Sequence, residues 1–476
     1  MLARMNSLDP TVLRRRLFAQ AAALNEQPWH RALCATGTRA WLVGGAVRDL
    51  ALGLDPLDID LAVEGDALAI GRQLAEILSG RFIALHEQFG SCRIVLPDKM
   101  QLDLTALQGA TIEQDLSRRD LTINAMALPL PASETLLDPF DGLADLLNGV
   151  ARCPGPEVIG DDPVRTLRVF RFAAELDLQP TPETLDQVAA QAAQLKLMPG
   201  ERVWEELRRL LAGEAVANWI EALDRTGVLD GLFPELATGA GVAQPSFHHL
   251  DVRGHSILTA MNIDHLLDDE LLAPALARPH DRCLLRLASL LHDLGKPQAA
   301  TEKDERLRFP GHPQHGAAIA DKICRRLRLS NDDRRRVTTL VDTHMRPHQL
   351  AELLAIGRLS AKAARNFLVD LGADWRHCLT LARADLLATA GPAAPPDGEE
   401  KAIRLAQHLT EAKRKRMPAP GSPSLVTGVD VLALGVEPGT HVGRLLEMVE
   451  QARFENPNLT RDEALALIEA SVAEEK

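Results

Sequence analysis

The chain contains no CxxC pair. Its six cysteines, Cys34, Cys92, Cys153, Cys283, Cys324 and Cys378, are scattered over 476 residues. That spacing argues against a zinc–thiolate site or a disulfide framework and fits isolated core thiols in a reducing compartment. No apolar run is long enough to cross a bilayer. The Arg14–Arg16 cluster is not followed by the apolar segment and small-residue cleavage site of an export signal. The chain therefore reads as soluble and cytoplasmic, with no membrane partner. Net positive charge is also lacking: the formal charge is −13, which disfavours bulk attraction to nucleic acid. Basic residues nevertheless cluster at Arg165–Arg171, Arg202–Arg209, Lys322–Arg336 and Lys413–Arg416, the pattern of a local basic track on an acidic body. There is no internal repeat, and the length predicts about two to four domains.

What is present divides along the chain. Residues 1–39 read as a helical extension. Short apolar strands are expected at Ala40–Val47, Leu57–Val63, Cys92–Leu96 and Gln101–Leu107, the last two joined by Pro97-Asp98. After Pro154-Gly155-Pro156 the pattern turns helical, with Val203, Leu207, Leu210 and Leu211 on one helix face. Gly391–Gly398 and Met417–Ser424, rich in Pro and small residues, read as linkers around one helix, followed by a tail. The expected fold class is α+β, a small sheet domain followed by mostly helical domains.

The segment WLVGGAVRDLALGLDPLDIDLAV (41–63) carries the first chemistry. Strand periodicity puts Asp58 and Asp60 on one face, where two carboxylates repel unless a cation such as Mg²⁺ lies between them. Asp103, a lone acid in an apolar strand, is a third candidate; three such groups suit two-metal displacement at a phosphate. Gly44 and Gly45 let the backbone approach phosphate and Arg48 adds charge. Farther on, Asp162, Arg165 and Arg168 are spaced to form one polar stripe on a predicted helix.

GGAVRD with DID, then RRDLTINA, DPFDG, DDPVRTLRVFRFA and GERVWEELRRLL, in that order over roughly residues 40–215, resemble the class II tRNA nucleotidyltransferases and bacterial poly(A) polymerases of the polymerase-beta superfamily. The resemblance implies a nucleotidyltransferase head at 40–150 and a helical nucleotide-selecting, RNA-binding neck at 151–240. It implies Mg²⁺ at Asp58 and Asp60, triphosphate at Gly45 and Arg48, and phosphate and sugar contacts from Arg119 and Asn124. Asp162 and Arg165 would read the base edge of CTP or ATP, with Arg168 and Arg171 close by. The partner implied is the tRNA 3′ end. Family members that complete CCA carry a long flexible loop before the RRD motif; here only Gln108–Leu116 stands there, which in this family goes with addition of C residues alone.

A second series consists of His255, His292-Asp293 in LLHDLGKP, His312, His344 and Asp385. Imidazole and carboxylate suit a transition metal whose bound water attacks near neutral pH. The series resembles the HD phosphohydrolase superfamily, at 241–390 here, with the tail at 391–476. The resemblance implies His255, His292, Asp293 and Asp385 as core ligands of a metal such as Ni, Mn, Co or Fe, His312 and His344 as further ones, and phosphatase or phosphodiesterase action. His315 and His348 read as loop residues beside this series. Two other readings are a poly(A) polymerase, which shares the head motifs, and an HD phosphohydrolase with a degenerate RNA-binding head.

Overall fold

The computed structural model describes residues 10–56, 58–86, 90–303, 306–417 and 423–474. The chain forms two compact units, residues 1–210 with 222–232, and residues 211–221 with 233–476.

Unit 1 begins with helices Pro10–Leu24 and Pro28–Ala35 and is built on a six-stranded sheet. Its strands are β1 (Ala40–Val43), β2 (Asp58–Val63), β3 (Arg81–His86), β4 (Ser91–Val95), β5 (Gln101–Ala106) and β6 (Ala127–Leu130), ordered β3-β4-β5-β2-β1-β6. Within this sheet, among the described residues, only β2 and β5 run parallel, in a register that sets Asp60 beside Asp103. Along β2, Ile59, Leu61 and Val63 are buried, which leaves Asp58 and Asp60 to the other face. The first strand is shorter than expected. Gly44 adopts φ 71°, and the helix Gly45–Leu52 starts directly after it. Strands β3 and β6, which the sequence pattern does not reveal, lie at the two sheet edges. On the helix Gly200–Leu211, Val203, Leu207, Leu210 and Leu211 are all buried, as their spacing predicts.

Unit 2 is helical. Its central helix, Pro279–Leu291, is buried at every residue from Asp281 to Leu291, so it has no solvent face and must be wrapped by others. Helices Val252–Met261, His312–Arg326, Asn331–Thr343 and Trp375–Leu387 belong to the same unit. The last helices build a small core of their own from Val426, Val431, Val436, Leu445, Val449, Ala464 and Ile468. No helix among the described residues is long and apolar enough to cross a membrane.

The segment Gly391–Gly398 is not a free linker. Gly391 is buried, its N–H donates to Phe247 O at 2.7 Å, and Ala393 N–H donates to Ser246 O at 3.2 Å. A Cβ on Gly391 would lie 2.4 Å from Phe247 C and 2.5 Å from Ser246 O, so backbone must move to admit any side chain. Most of Met417–Ser424 lies outside the described residues. Gly391→Val should therefore cost about 1–3 kcal/mol through loss of the strap, measured by denaturant unfolding of the full chain; wild-type stability would contradict the packing described.

Candidate functional sites

In unit 1 a cleft of about 580 Å³ is lined by Gly44, Gly45, Asp58, Asp60, Asn124 and Asp162, and by six arginines, Arg48, Arg119, Arg165, Arg168, Arg171 and Arg209. Gly44 shows why a side chain is excluded at the strand end: a Cβ there would sit 2.9 Å from Arg119 Nη1 and 3.3 Å from Asp60 Oδ2. Burial, followed by repulsion from Asp103 and Asp58, pushes Asp60 up to about 6 against the opposing pull of Arg119. That excess of negative charge fits a divalent cation between Asp58 and Asp60. Asp103, the third candidate carboxylate, has a cationic partner of its own. Arg93 on β4 grips both of its oxygens at 2.7 Å.

The arginines are held by a buried scaffold. Arg48 donates to Asn124 Oδ1 at 2.6 Å and pairs with Asp49 at 2.7 Å. Asn124 donates to Asp120 Oδ1 at 3.0 Å, and Asp120 receives Arg168 at 2.6 Å. Glu206 receives Arg168 at 3.2 Å and Arg171 at 2.5 Å. The Phe172 ring lies beneath three guanidinium groups, with Arg171 at 3.8 Å, Arg48 at 5.2 Å and Arg168 at 5.5 Å from its centroid. Asp120, Phe172 and Glu206 belong to the motifs RRDLTINA, DDPVRTLRVFRFA and GERVWEELRRLL, but sequence reasoning assigns none of them a role. Glu206 carries a readable signal: it falls at the edge of the 203–207–210 apolar stripe, where a carboxylate requires a partner.

Asp162 and Arg165 do not share a helix. Asp162 precedes Pro163, which favours extended backbone, and its φ of −149° separates the turn Val158–Asp161 from the helix Arg165–Leu176. Its carboxylate takes Arg202 at 2.6 Å, while Arg165 donates to Val158 O at 2.8 Å. The expected helical stripe of Asp162, Arg165 and Arg168 is thus corrected: the acid stands off the helix that the two arginines share. The connection Gln108–Leu116 is compact. Thr111 caps the helix Ile112–Ser117, Gln108 N–H donates to Asp115 Oδ1 at 3.1 Å, and Ala110 N–H donates to Gln114 Oε1 at 2.7 Å.

In unit 2 the His/Asp series converges. Asp385 Oδ1 lies 2.7 Å from His255 Nε2 and 3.8 Å from His292 Nε2. Asp293 lies 3.2 Å from His292 Nε2, 3.5 Å from His312 Nε2 and 3.7 Å from His344 Nε2. His292, His312 and His344 each donate Nδ1–H to a carbonyl three residues earlier, Ser289, Phe309 and Val341, at 2.8, 2.9 and 2.7 Å. Each Nε2 lone pair is thereby directed inward. Burial pushes His344 down to about 3 and lowers His312 as well, keeping both neutral as ligation requires. His292 Nε2 and Asp293 Oδ1 are buried without a hydrogen-bond partner, and two triads, His255-His292-Asp385 and His292-Asp293-His344, have the proximity of metal ligands. The residues fit a divalent metal.

Two neighbours stand outside the expected series. Lys296 pairs with Asp293 at 2.6 Å. His348 is no loop residue: it lies on the helix Arg346–Ala355 and approaches Asp385 Oδ2 at 3.0 Å. His315 is also helical, on His312–Arg326.

Residues 40–152 match the family model described as the Poly A polymerase head domain, residues 177–239 one described as a probable RNA and SrmB-binding site of polymerase A, and residues 252–390 the HD domain. The chain is 36% identical over 438 residues to the A-adding tRNA nucleotidyltransferase of Deinococcus radiodurans, spanning 90% of this chain and 95% of that one. It is 33% identical over 437 residues to the CC-adding tRNA nucleotidyltransferase of Thermus thermophilus, spanning 90% and 93%. The fold matches the Thermotoga maritima CCA-adding enzyme complexed with tRNA at a TM-score of 0.65 and 21% identity, over 96% of this chain and 98% of that one. Fold, cleft and matches together define a nucleotidyltransferase, an enzyme, with a second domain of HD type. The chain belongs to the class II CCA-adding tRNA nucleotidyltransferase family.

Asp120 gives a test of the cleft's scaffold. Burial alone would raise its pKa, but Arg168 and the hydrogen bonds from Asn124 and Leu121 outweigh burial and hold it below the usual carboxylate range. A depressed carboxylate stabilises the fold above its unfolded value of about 3.9 and loses that contribution as pH falls through the folded value. Asp120→Asn should cost about 2–3 kcal/mol at neutral pH, the low side for a broken buried pair because Arg168 keeps Glu206 and some solvent. The gap between variant and wild type should shrink below about pH 4 in urea titrations; a gap independent of pH would remove the ion pair from the account.

Proposed function

We propose that residues 40–150 and the neck at 151–240 transfer CMP from CTP, and AMP less readily from ATP, to the 3′ end of tRNA without a nucleic-acid template, and that residues 241–390 hydrolyse phosphate esters at RNA ends. The observation that carries the first part is the single cleft in which Asp58 and Asp60 face six arginines. In this reading Asp58 and Asp60 hold Mg²⁺, which when bound supplies the Lewis acidity that in-line displacement needs. Asp103, beside Asp60 in the parallel register, is the third carboxylate of the set and its charge adds to burial in raising Asp60, while Arg93 orients it. Gly44 and Gly45 admit the triphosphate closely, and Arg48, Arg119 and Arg168 neutralise it, with Arg171 braced beside them. Asn124 meets the sugar. Asp162 accepts from an exocyclic amine while Arg165 donates to ring and carbonyl acceptors, a pairing that takes C or A and rejects U or G.

The compact Gln108–Leu116 connection supports C addition, since changing from CTP to ATP within one cleft calls for a mobile element. The 36% identical relative named as an A-adding enzyme favours a second reading, terminal A addition. Gel analysis decides between them, using tRNA transcripts that end before CCA, after C and after CC, each with CTP alone and with ATP alone. C addition to the first two should dominate. Addition of A to the CC-ending transcript alone would replace C addition with A addition, and long A tails on unstructured RNA would indicate a poly(A) polymerase. Asp58→Ala should abolish every addition; retained activity would remove the paired carboxylates from the mechanism.

For the HD region, His255, His292, Asp293 and Asp385 would hold a metal such as Ni, Mn, Co or Fe, with His312 and His344 completing a second position. A metal there supplies a nucleophilic water near neutral pH. His292→Ala with Asp293→Ala should lower bound transition metal and remove hydrolysis of 2′,3′-cyclic, 2′- or 3′-phosphate ends while nucleotide addition persists. Unchanged metal content by elemental analysis would contradict this assignment.

A further inference from the structure

Most of the basic clusters in this acidic chain are neutralised locally. In the 322–336 stretch, Arg325 and Arg334 pair with Asp321, Arg326 with Glu235, and Arg336 with Asp281 and Asp374. In the 202–209 stretch, Arg202 pairs with Asp162, Arg208 with Glu205 and Arg209 with Glu175. At the end of the helix Gly398–Arg416, Arg414 and Lys415 both pair with Glu411.

Three cations in this region depart from that rule. Arg376 lies 4.4 Å and Lys413 5.3 Å from the centroid of the Trp375 indole, and Arg416 lies 5.9 Å from the Phe454 ring. Among the described residues none of the three has an acidic partner, although Asp374 is adjacent to Trp375; Asp374 is committed to Arg336 and to His377. Arg376 Nε is buried with no hydrogen-bond partner. Trp375 is itself 2% exposed, so the indole supports the cations rather than offering a face for base stacking. Lys413 is lowered by burial and then by the neighbouring charge of Arg376, and His408 by burial and then by Arg416. Arg376 and Lys413 are half-buried and Arg416 is exposed; like charges gathered in this way without a counter-ion are unfavourable in the free protein. An anion brought by a partner would relieve them.

We propose that Arg376, Lys413 and Arg416 form a phosphate-binding face on unit 2 that engages the phosphodiester backbone of the RNA substrate. This rests on the reading of the chain as a tRNA-extending enzyme. RNA is favoured over an acidic protein because the family acts on tRNA and because isolated cations on aromatic supports bind phosphate without reading sequence.

The test uses the full-length protein and a tRNA transcript lacking CCA, with affinity followed by fluorescence anisotropy over a range of KCl. Arg376→Gln with Lys413→Met should reduce the slope of log affinity against log salt by about two, one for each phosphate that these cations neutralise. The KM for CTP should be unchanged, and the free protein should melt no lower than wild type, because removing mutually repelling charges relieves strain that a structural cation would not have. Lys413→Arg, which keeps the charge, should restore its share of the slope. Arg325→Gln, at a paired cation, should leave the slope as it is. Wild-type slope and affinity in the double variant would overturn the proposal, as would a loss of affinity that appears only with a lowered melting temperature in both the double and the single Lys413→Met variants. Intact tRNA binding with lost binding to polyglutamate would reassign the face to an acidic protein and equally overturn it.

Discussion

The carboxylate of Asp120 ties together four separate stretches of unit 1. It accepts from the Leu121 N–H at 2.8 Å, from Asn124 and from Arg168. Asn124 passes the connection to Arg48 on the helix after the Gly-Gly turn, and Arg168 passes it to Glu206 on the helix Gly200–Leu211. A buried charge is tolerable only when its partners are fixed, and here that requirement fixes the partners in turn. The arginines that face the cleft are therefore aimed before any nucleotide arrives. Pre-organisation of this kind lets positive charge act on a triphosphate without the cost of gathering it at the time of binding.

The two units meet the problem of concentrated charge in different ways. Unit 1 places carboxylates on one strand face and arginines around them, so the cleft carries both signs and remains open. Unit 2 draws imidazoles and two carboxylates into a buried centre, where burial lowers His312 and His344 and keeps them uncharged. The first arrangement suits a large, highly charged nucleotide. The second suits a metal held in a closed set of ligands, with Lys296 and His348 against its two carboxylates.

Much of this is legible in the sequence where chemistry and periodicity coincide. Asp58 and Asp60 have to share a face because strand side chains alternate, and the His/Asp series carries enough ligand types to be noticed despite its spread over 131 residues from His255 to Asp385. The two unexpected strands are illegible for a physical reason. Edge strands need no alternation: β3 is largely exposed, and β6 contains Pro129, which an edge tolerates because its missing N–H leaves no ladder bond unmade. The Pro-rich stretch 391–398 resembles a linker because composition reports on local stiffness, whereas two of its backbone hydrogen bonds go to residues about 145 positions earlier in sequence. Counting in threes sets Asp162 on a helix, and Pro163, one residue later, is the cue against it.

The three histidines that donate to carbonyls three residues back have a consequence for how the HD region matures. Helix ends leave carbonyls without intrahelical partners, and two of these imidazoles, His292 and His344, satisfy such groups at the ends of the helices that precede them. Ring orientation is thus decided by the neighbouring backbone turn, not by the ion. The binding geometry is a mould cast during folding, ready before it is filled. Imidazole and carboxylate donors by themselves follow the general affinity order of divalent ions, so discrimination among them falls to the shape of this mould and to metal availability.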